Sequence, residues 1–273
     1  MDATRNAQAA DILLELEDVH MNFGKVSALA GVSLQVKPGE IHSVIGPNGA
    51  GKTVMMNCIN GLYRPQTGNI KFKGRQINRL KPYERARLGM ARTFQKVEVF
   101  GGMTVLDNIR LGRHIHYKSG IVSGALYLGK TAREEIEHRA FIEEEIIDLL
   151  EIQHIRHKPV GMLPYGLQKR VELGRALALE PDLLILDEPL AGLNLEEVED
   201  MARFILDVNQ EERWRVSCLL VEHDMGVVMD LSDRVFVLNF GNMIIDGTPQ
   251  EVQSHPEVIK AYLGEEDLYA TRR

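Results

Sequence analysis

Alternating apolar positions and short apolar runs predict β-strands in the first part of the chain. The pattern predicts strands over Leu13 to Val19, Val32 to Val36 and Glu40 to Ile45. A helix is predicted over Lys52 to Asn60, directly after a glycine-rich stretch. This order of strand, loop and helix is the unit from which α/β folds are built.

The middle of the chain has helical periodicity instead. From Val105 to Glu151, apolar residues recur at helical spacing among many charged ones, and the range has no strand pattern. A helix over Ala132 to Leu150 is predicted to carry one apolar stripe, formed by Ile136, Phe141, Ile142, Ile146, Leu149 and Leu150. We therefore predict an inserted helical segment with edges near Phe100 and Leu163.

Strand patterns return in the last third of the chain. The predicted strands are Leu183 to Leu186, Val216 to Val221, Val235 to Leu238 and Asn242 to Ile245. The first two are separated by a predicted helix with apolar positions at Leu195, Val198, Met201, Ile205 and Val208. Strands that alternate with helices form parallel sheets, so we predict an α/β fold with a mostly parallel sheet.

Two short helices are predicted near the C-terminus. Thr248-Pro249-Gln250-Glu251 has a capping threonine, a proline at the first helical position and a glutamate three residues after the cap. Pro256 to Leu263 repeats the proline start and ends before Gly264. We expect both helices to lie beyond the sheet, as a C-terminal tail.

Composition narrows the class of protein. The 273 residues are 44% hydrophobic and 26% charged, as in ordinary globular proteins. The net charge of −7 argues against sequence-independent nucleic-acid binding, which needs a broad basic face. Apolar runs fall short of the ~18 residues of a membrane-spanning helix, and Met1 to Asp11 lacks a secretory apolar segment. We therefore predict a cytosolic protein whose two cysteines, Cys58 and Cys218, are reduced and buried.

The glycine-rich stretch is a phosphate-binding loop. Gly46-Pro47-Asn48-Gly49-Ala50-Gly51-Lys52-Thr53 has the form G-x-x-x-x-G-K-T, and Val54 continues into the predicted helix. Small residues let the backbone N–H groups from Gly49 to Thr53 surround the β-phosphate of a nucleotide at a helix N-terminus. Lys52 is expected to reach the β- and γ-phosphates, and the Thr53 hydroxyl to bind Mg²⁺.

Two adjacent carboxylates follow the predicted strand Leu183 to Leu186. If Asp187 and Glu188 lie at the carboxyl end of that strand, they face the phosphate loop, where open α/β sheets bind ligands. Asp187 is then expected to hold Mg²⁺ through water, and Glu188 to orient or deprotonate an attacking water.

Four further stretches make the chain resemble the ATP-binding subunit of an ABC transporter, from about Leu13 to Gly264. In chain order they are Ala91-Arg92-Thr93-Phe94 before Gln95, the signature stretch Leu163-Pro164-Tyr165-Gly166-Leu167-Gln168-Lys169-Arg170, Ala191-Gly192-Leu193-Asn194 after Pro189, and Leu219-Leu220-Val221-Glu222 before His223. The resemblance implies a P-loop NTPase core with a mostly parallel sheet, an N-terminal antiparallel β region and an inserted helical subdomain. It also implies ATP and Mg²⁺ as cofactors.

The resemblance also implies roles for single residues. Gln95 contacts the metal or water and senses a membrane partner, His223 holds the γ-phosphate, and Phe23 stacks on adenine. Tyr165 and Gly166 contact the ATP that the phosphate loop of an opposite subunit holds. Taken alone, Phe23 also fits a core aromatic, Gln95 a solvated polar residue and His223 a histidine beside a strand end. Only the shared order of the motifs favours the functional roles.

The chain departs from the family's usual signature, Leu-Ser-Gly-Gly-Gln. Pro164 stands at the serine, Tyr165 at the first glycine and Leu167 at the glutamine, and Asn194 replaces the usual aspartate after Pro189. The missing serine hydroxyl removes one hydrogen bond to the ATP of the opposite subunit. We therefore expect that the second ATP-binding subunit is a different chain with an intact serine; the alternative is a second copy of this chain.

Other stretches resemble the ATPases of branched-chain amino-acid importers. They are Thr93-Phe94-Gln95, Met103-Thr104-Val105-Leu106-Asp107-Asn108, the charged insertion from Gly112, and the tail from Gly247 to Gly264. The resemblance implies integral membrane permease subunits, indirectly a solute-binding protein, no nucleic acid, and a location on the cytoplasmic face of the cell membrane. The alternatives are an ATPase for lipopolysaccharide extraction and a soluble regulatory ATPase.

The domain boundaries expected from these patterns divide the chain into four parts. Residues 1–99 and 164–246 form the two parts of the ATP-binding core, residues 100–163 form the helical subdomain that leads to the signature, and residues 247–273 form a C-terminal helical tail.

Overall fold

Two β-sheets and a set of helices form the part of the chain that the computed structural model describes, residues 12–116 and 130–262. The strands of the described residues are β1 (Leu14–Phe23), β2 (Val26–Val36), β3 (Ile41–Ile45), β4 (Thr67–Phe72), β5 (Arg75–Gln76), β6 (Met90–Arg92), β7 (Leu183–Asp187), β8 (Ser217–Val221), β9 (Arg234–Asn239) and β10 (Asn242–Gly247). The predicted strands are confirmed, while β4, β5 and β6 were not predicted, because they are short or polar. The first predicted strand also continues to Phe23, and the second begins at Val26.

The α-helices lie between and beside these strands. They are α1 (Lys52–Asn60), α2 (Pro82–Ala86), α3 (Val105–Gly112), α4 (Lys130–Phe141), α5 (Tyr165–Leu177), α6 (Leu195–Gln210), α7 (Met225–Leu231) and α8 (Pro249–Ser254). Short 3₁₀ helices cover Arg113–His116, Gln153–Ile155 and Val160–Met162. Residues 256–262 are also helical, and the end of the last predicted helix, Leu263 and Gly264, lies outside the described residues.

The larger sheet carries the phosphate loop. Its six strands have the order β10-β9-β3-β8-β7-β6. All neighbouring pairs in it are parallel except β10 with β9, so the predicted mostly parallel sheet is confirmed. Strands β3, β7 and β8 are fully buried, as expected of central parallel strands covered on both faces.

The smaller sheet is antiparallel and has the order β2-β1-β4-β5. It is the N-terminal antiparallel β region that the resemblance implied. Alternate residues of β1, such as Leu14 and Leu16, face a core that this sheet shares with α1 and the larger sheet. The shared core holds the phosphate-loop helix between the two sheets.

The helical segment differs from the sequence prediction at one residue. The described residues between 105 and 151 form helices and turns and no strand, as predicted. Ile142, Ile146 and Leu150 are buried, but Ile136 is 68% exposed, so its place in the apolar stripe was wrong. Ile136 precedes Ile142 by six positions, which at about 100° per residue puts the two on different helix faces. A π-helical turn over Ile142–Ile147 shifts the faces further.

A buried arginine closes the C-terminal end of α1. The Arg85 guanidinium donates to the main-chain oxygens of Cys58 (2.7 Å) and Ile59 (2.6 Å), and to those of Ile77 (2.7 Å) and Leu80 (3.1 Å). Two of these carbonyls, those of Cys58 and Ile59, belong to the last turn of α1, where a cation is favourable. Burial lowers the pKa of Arg85 to about 10, although the nearby Cys58 acts in the opposite direction. Arg85 therefore joins α1 to the segment that leaves the antiparallel sheet.

The two cysteines are buried free thiols, as predicted. Burial raises the pKa of Cys58 to about 11 and that of Cys218 to about 12. Both thiols are therefore protonated and act as small apolar side chains of the core.

Candidate functional site

The phosphate loop lies at the carboxyl end of β3 and leads into α1. Its glycines are required by close contact with neighbouring strands. A Cβ at Gly46 would lie 2.0 Å from the main-chain oxygen of Leu238, and one at Gly51, where φ is +111°, would lie 2.4 Å from that of Ala28. A Cβ at Gly49 would meet none of the described atoms within 4 Å, so the loop is open on that side. The loop is thus fixed against β9 and β2 and open to a substrate phosphate.

Lys52 and Thr53 begin α1, as the motif predicts. The Lys52 ammonium is buried and donates to the main-chain oxygens of Gly46 and, at 3.1 Å, of Pro47. The Thr53 side chain is exposed. An ammonium has three N–H donors, so Lys52 can also donate to a phosphate that enters the loop.

The Asp187–Glu188 pair lies at the carboxyl end of β7, as predicted. Asp187 is the last residue of the strand, and its Oδ2 accepts a hydrogen bond of 2.8 Å from Nη2 of Arg92, at the end of neighbouring β6. Nη1 of Arg92 donates to Oδ1 of Asn57 in α1, also at 2.8 Å. Both Arg92 and Asp187 are almost fully buried. The predicted magnesium ligand is therefore tied to the phosphate-loop helix.

Glu188 has a left-handed backbone, with φ of +50°. This conformation ends β7 at Asp187 and turns the Glu188 side chain away from the direction that it would have in a continuing strand. Oε1 of Glu188 lies 2.6 Å from Nε2 of His223, and Oε2 accepts from the Gln95 amide at 2.8 Å. The structure therefore brings together Glu188, His223 and Gln95, the three residues predicted as catalytic.

The Glu188 carboxylate is ionised at neutral pH. Burial opposes ionisation, but the hydrogen bonds with His223 and Gln95 and the nearby Lys52 charge outweigh it, and they lower the pKa of Glu188. Each of its oxygens makes one of these contacts and keeps a further lone pair that can accept from a water.

The side chains around the two carboxylates suit a magnesium ion. Mg²⁺ prefers oxygen ligands, and the Thr53 hydroxyl, the Asp187 carboxylate and the Gln95 amide oxygen offer them. Gln95 uses its nitrogen toward Glu188, which leaves its amide oxygen for another contact. The donor set therefore fits the predicted metal.

Phe23 lies half-exposed at the end of β1 and packs edge to face on Tyr63, with ring centres 5.5 Å apart. It pairs with Val26 across the β1–β2 turn, and Ala28 of β2 contacts the phosphate loop at Gly51. The aromatic ring is thus a few residues along the same hairpin from the loop. This placement suits adenine stacking, which stays a prediction.

The signature stretch forms the N-terminal end of α5. Pro164 is the cap residue, and its side chain has no group that could donate to or accept from a phosphate. Tyr165 is 42% exposed, so its ring is available to a second subunit. At Gly166 a Cβ would lie 2.2 Å from Oε1 of Glu197, which explains the glycine there.

Asn194, which replaces the usual aspartate, caps α6. Its side chain accepts from the Glu197 N–H at 3.0 Å, and the Asn194 N–H donates to Oε2 of Glu197, also at 3.0 Å. Because the same Glu197 contacts Gly166, this capping box joins α6 to the start of α5.

Sequence reasoning missed four buried charged residues of this site. They are Arg92, Lys169, Glu172 and Glu222. All four lie inside or next to motifs found in the sequence. Charged residues are usually exposed to solvent, however, so the residue types alone did not indicate burial. Their position in the sequence could have indicated a role, because each of the four lies on an element that the motifs place at the site.

Helices able to span a membrane were not found among the residues that the structure describes.

Known protein families match the sequence of this chain. A family model described as "ABC transporter" matches residues 29–191, and one described as "Branched-chain amino acid ATP-binding cassette transporter" matches residues 243–267. The chain is 39% identical over 256 residues to the high-affinity branched-chain amino acid transport ATP-binding protein BraF of Pseudomonas aeruginosa, with 93% of this chain and 98% of the relative covered. It is 40% identical over 255 residues to LivG of Escherichia coli, which has the same description and the same coverage.

Two solved structures have the same fold. The ATP-binding cassette MJ1267 of an ABC transporter, in its ADP conformation, superposes with a TM-score of 0.79 at 30% identity, over 93% of this chain and 99% of that chain. A nucleotide-free cassette gives a TM-score of 0.78 at 30% identity, over 92% of this chain and 98% of the other.

Proposed function

The chain belongs to the ABC transporter family of ATP-binding cassettes, and we propose that it hydrolyses ATP to power a membrane importer of branched-chain amino acids or a related small solute. One observation supports the solute class above all. The C-terminal match over residues 243–267 is to a branched-chain amino-acid cassette model, and this segment lies outside the general cassette match over residues 29–191. The 39–40% identity to BraF and LivG over 93% of the chain agrees with it.

The chain's own residues supply binding and proton transfer. The N–H groups of Gly49 to Thr53 bind the phosphates, Lys52 donates to the β- and γ-phosphates, and Phe23 stacks on adenine. Mg²⁺, held by Thr53, Asp187 and Gln95, would neutralise phosphate charge. Glu188 accepts a proton from the attacking water, and His223 holds the γ-phosphate.

We propose that the active unit contains two cassettes. Tyr165 and Gly166 at the start of α5 face the ATP of the opposite cassette. The Gly166 N–H and the N-terminal dipole of α5 contact that ATP in place of the missing serine hydroxyl. The partner cassette is a different chain with an intact serine. Permease subunits bind the pair at the inner face of the membrane, and a solute-binding protein delivers the solute.

Reconstitution tests this function. The chain is purified from membranes through an affinity tag, and the recovered complex is placed in liposomes with ATP inside. We expect uptake of radiolabelled leucine, isoleucine or valine that needs internal ATP. Glu188→Gln should keep ATP bound and abolish uptake, because an amide preserves the shape but is a poor base.

The same preparation separates the two alternatives. Recovery of ribosomes or DNA without membrane subunits would establish a soluble regulatory ATPase. Release of lipopolysaccharide from vesicles, without amino-acid uptake, would establish an extraction ATPase. Either result would refute the importer.

A further inference from the structure

A buried lysine links the signature helix to the main chain of Glu188. Lys169 lies one turn after Tyr165 in α5 and is only 4% exposed. Its ammonium donates to the main-chain oxygen of Glu188 at 2.8 Å and to that of Pro189 at 2.9 Å. Lysine is almost never buried to this extent unless its ammonium is paired with other groups, so these contacts call for an explanation.

The ammonium also lies over the ring of Tyr165. Its nitrogen is 5.5 Å from the ring centre, within the range of a cation–π contact. The same ring covers Gly192, where a Cβ would lie 3.2 Å from it. Lys169 therefore connects a side chain at the start of α5 with the loop that follows β7.

Three nearby glutamates favour the charged form of Lys169. Burial lowers its pKa, while the charges of Glu222, Glu172 and Glu188 act in the opposite direction. Glu222 accepts from the N–H of Leu190 at 2.8 Å and from its neighbour His223 at 3.1 Å. The ammonium and Glu222 thus act on the same short stretch after Glu188.

Glu172 extends the connection to the loop that contains Gln95. Its Oε1 accepts from the N–H groups of Phe94 and Glu98, both at 3.3 Å. Glu172 and Lys169, both in α5, therefore contact the main chain on either side of Gln95 and at Glu188.

The backbone of Glu188 depends on such contacts. A left-handed conformation is unfavourable for glutamate and persists only where the surroundings fix it. The Glu188 N–H donates to Val221 at 2.9 Å, and its carbonyl accepts from Ala191 at 3.2 Å as well as from Lys169. Without the ammonium, the carbonyl loses its side-chain donor, and the direction of the carboxylate is less well fixed.

We propose that Lys169 is a positioning residue for ATP hydrolysis, which holds the carbonyls of Glu188 and Pro189 so that the Glu188 carboxylate stays aimed at the attacking water. The inference rests on the proposed role of Glu188 as general base. Through Tyr165, it also connects that base to the part of α5 that faces the opposite cassette.

The first test compares Lys169→Met with Lys169→Arg in the importer complex purified from membranes through a tag on this chain. Methionine has a similar length and donates no hydrogen bond, so kcat should fall by at least about tenfold, as expected when a catalytic group is misplaced. The affinity for a fluorescent ATP analogue should stay within about twofold. Arginine can donate to both carbonyls and should restore kcat to within about threefold of the original. An unchanged kcat in Lys169→Met would overturn the proposal.

Arg170→Gln is the matched control. Arg170 is the next residue of α5, pairs with Asp200 of α6 and stacks on Phe204, with 5.0 Å to the ring centre. Its loss should lower the melting temperature and leave kcat within about twofold. An equal loss of kcat in both variants would show that α5 acts through general support, against the proposal. If Lys169→Met does not fold, Lys169→Gln is judged by the same threshold.

A double variant shows whether Lys169 acts through Glu188. If it does, Lys169→Met added to Glu188→Gln should slow the residual hydrolysis by less than about twofold, because effects of residues that act as a unit are not additive. Multiplied losses would overturn the proposal. Normal hydrolysis by Glu188→Gln alone would instead refute the proposed base, so the two failures are distinguishable.

Discussion

Arg92 and Asp187 form a buried ion pair, with 2.8 Å between Nη2 and Oδ2, and their side chains are 5% and 6% exposed. Arg92→Met leaves the carboxylate buried without its cation, which costs about 3–5 kcal/mol for such pairs. We expect urea unfolding to show a loss of that order. Lys73→Met is the control, since Lys73 pairs with Asp182 where both side chains are 46% exposed, and exposed pairs contribute about 0–1 kcal/mol. Equal losses in the two variants would contradict the importance of burial.

Lys52→Ala should weaken ATP binding, because the phosphate loop loses its ammonium. The affinity for a fluorescent ATP analogue is expected to fall by at least about tenfold, the equivalent of about 1.4 kcal/mol. Lys37→Ala is the control, because Lys37 is an exposed lysine at the other end of β3. Unchanged affinity and turnover in Lys52→Ala would refute the active loop.

Asp246 makes the stability of the core depend on pH. Its Oδ1 accepts from Arg234 at 2.8 Å and lies 3.4 Å from Nε2 of the buried His42. Burial opposes its ionisation, but the nearby His42 ring and the charge and hydrogen bonds of Arg234 outweigh it and lower the pKa of Asp246. An acid with a lowered folded pKa stabilises above its unfolded value, about 3.9, and loses this contribution as the pH falls through the folded value.

Asp246→Asn tests this dependence. The loss of unfolding free energy relative to the original chain should be largest near pH 7 and should shrink as the pH falls below about 4. Urea titrations at a series of pH values measure it. A loss that is constant over the series would contradict the assignment.

The altered signature predicts unequal ATP sites. A partner cassette with an intact serine would complete the site that contains Lys52 and Glu188 of this chain, while the partner's own ATP would face Pro164. Glu188→Gln here should therefore reduce uptake more than the matching change in the partner. Uptake by the reconstituted importer, measured for each change separately, gives the comparison. Equal losses would reject the asymmetry, and full uptake with this chain as the sole ATPase would reject a required second chain.

The sequence predicted the elements whose patterns are local. The phosphate loop, the β7 carboxylates and the strand–helix alternation each follow from a spacing within a few residues. The strand β6 has three residues and no such pattern. Arg92 at its end meets Asp187 across 95 positions of sequence, so only the sheet order shows that they are partners.

The contacts of the signature helix were also beyond local patterns. Pro164 and Tyr165 were noticed because they depart from a familiar motif, whereas Lys169 fits the motif region as an ordinary solvated lysine. Its burial follows from the packing of α5 against the end of β7, which the one-dimensional pattern does not contain.

The four carbonyls that Arg85 binds have a mechanical consequence. They belong to the end of the phosphate-loop helix and to the segment between the antiparallel sheet and α2. The hydrogen bonds of one side chain therefore connect these two parts. Buried contacts of this kind are hardly screened by salt. We therefore expect any hinge that the cassette uses while it cycles through nucleotide states to lie away from this junction, so that α1 and the antiparallel sheet move together.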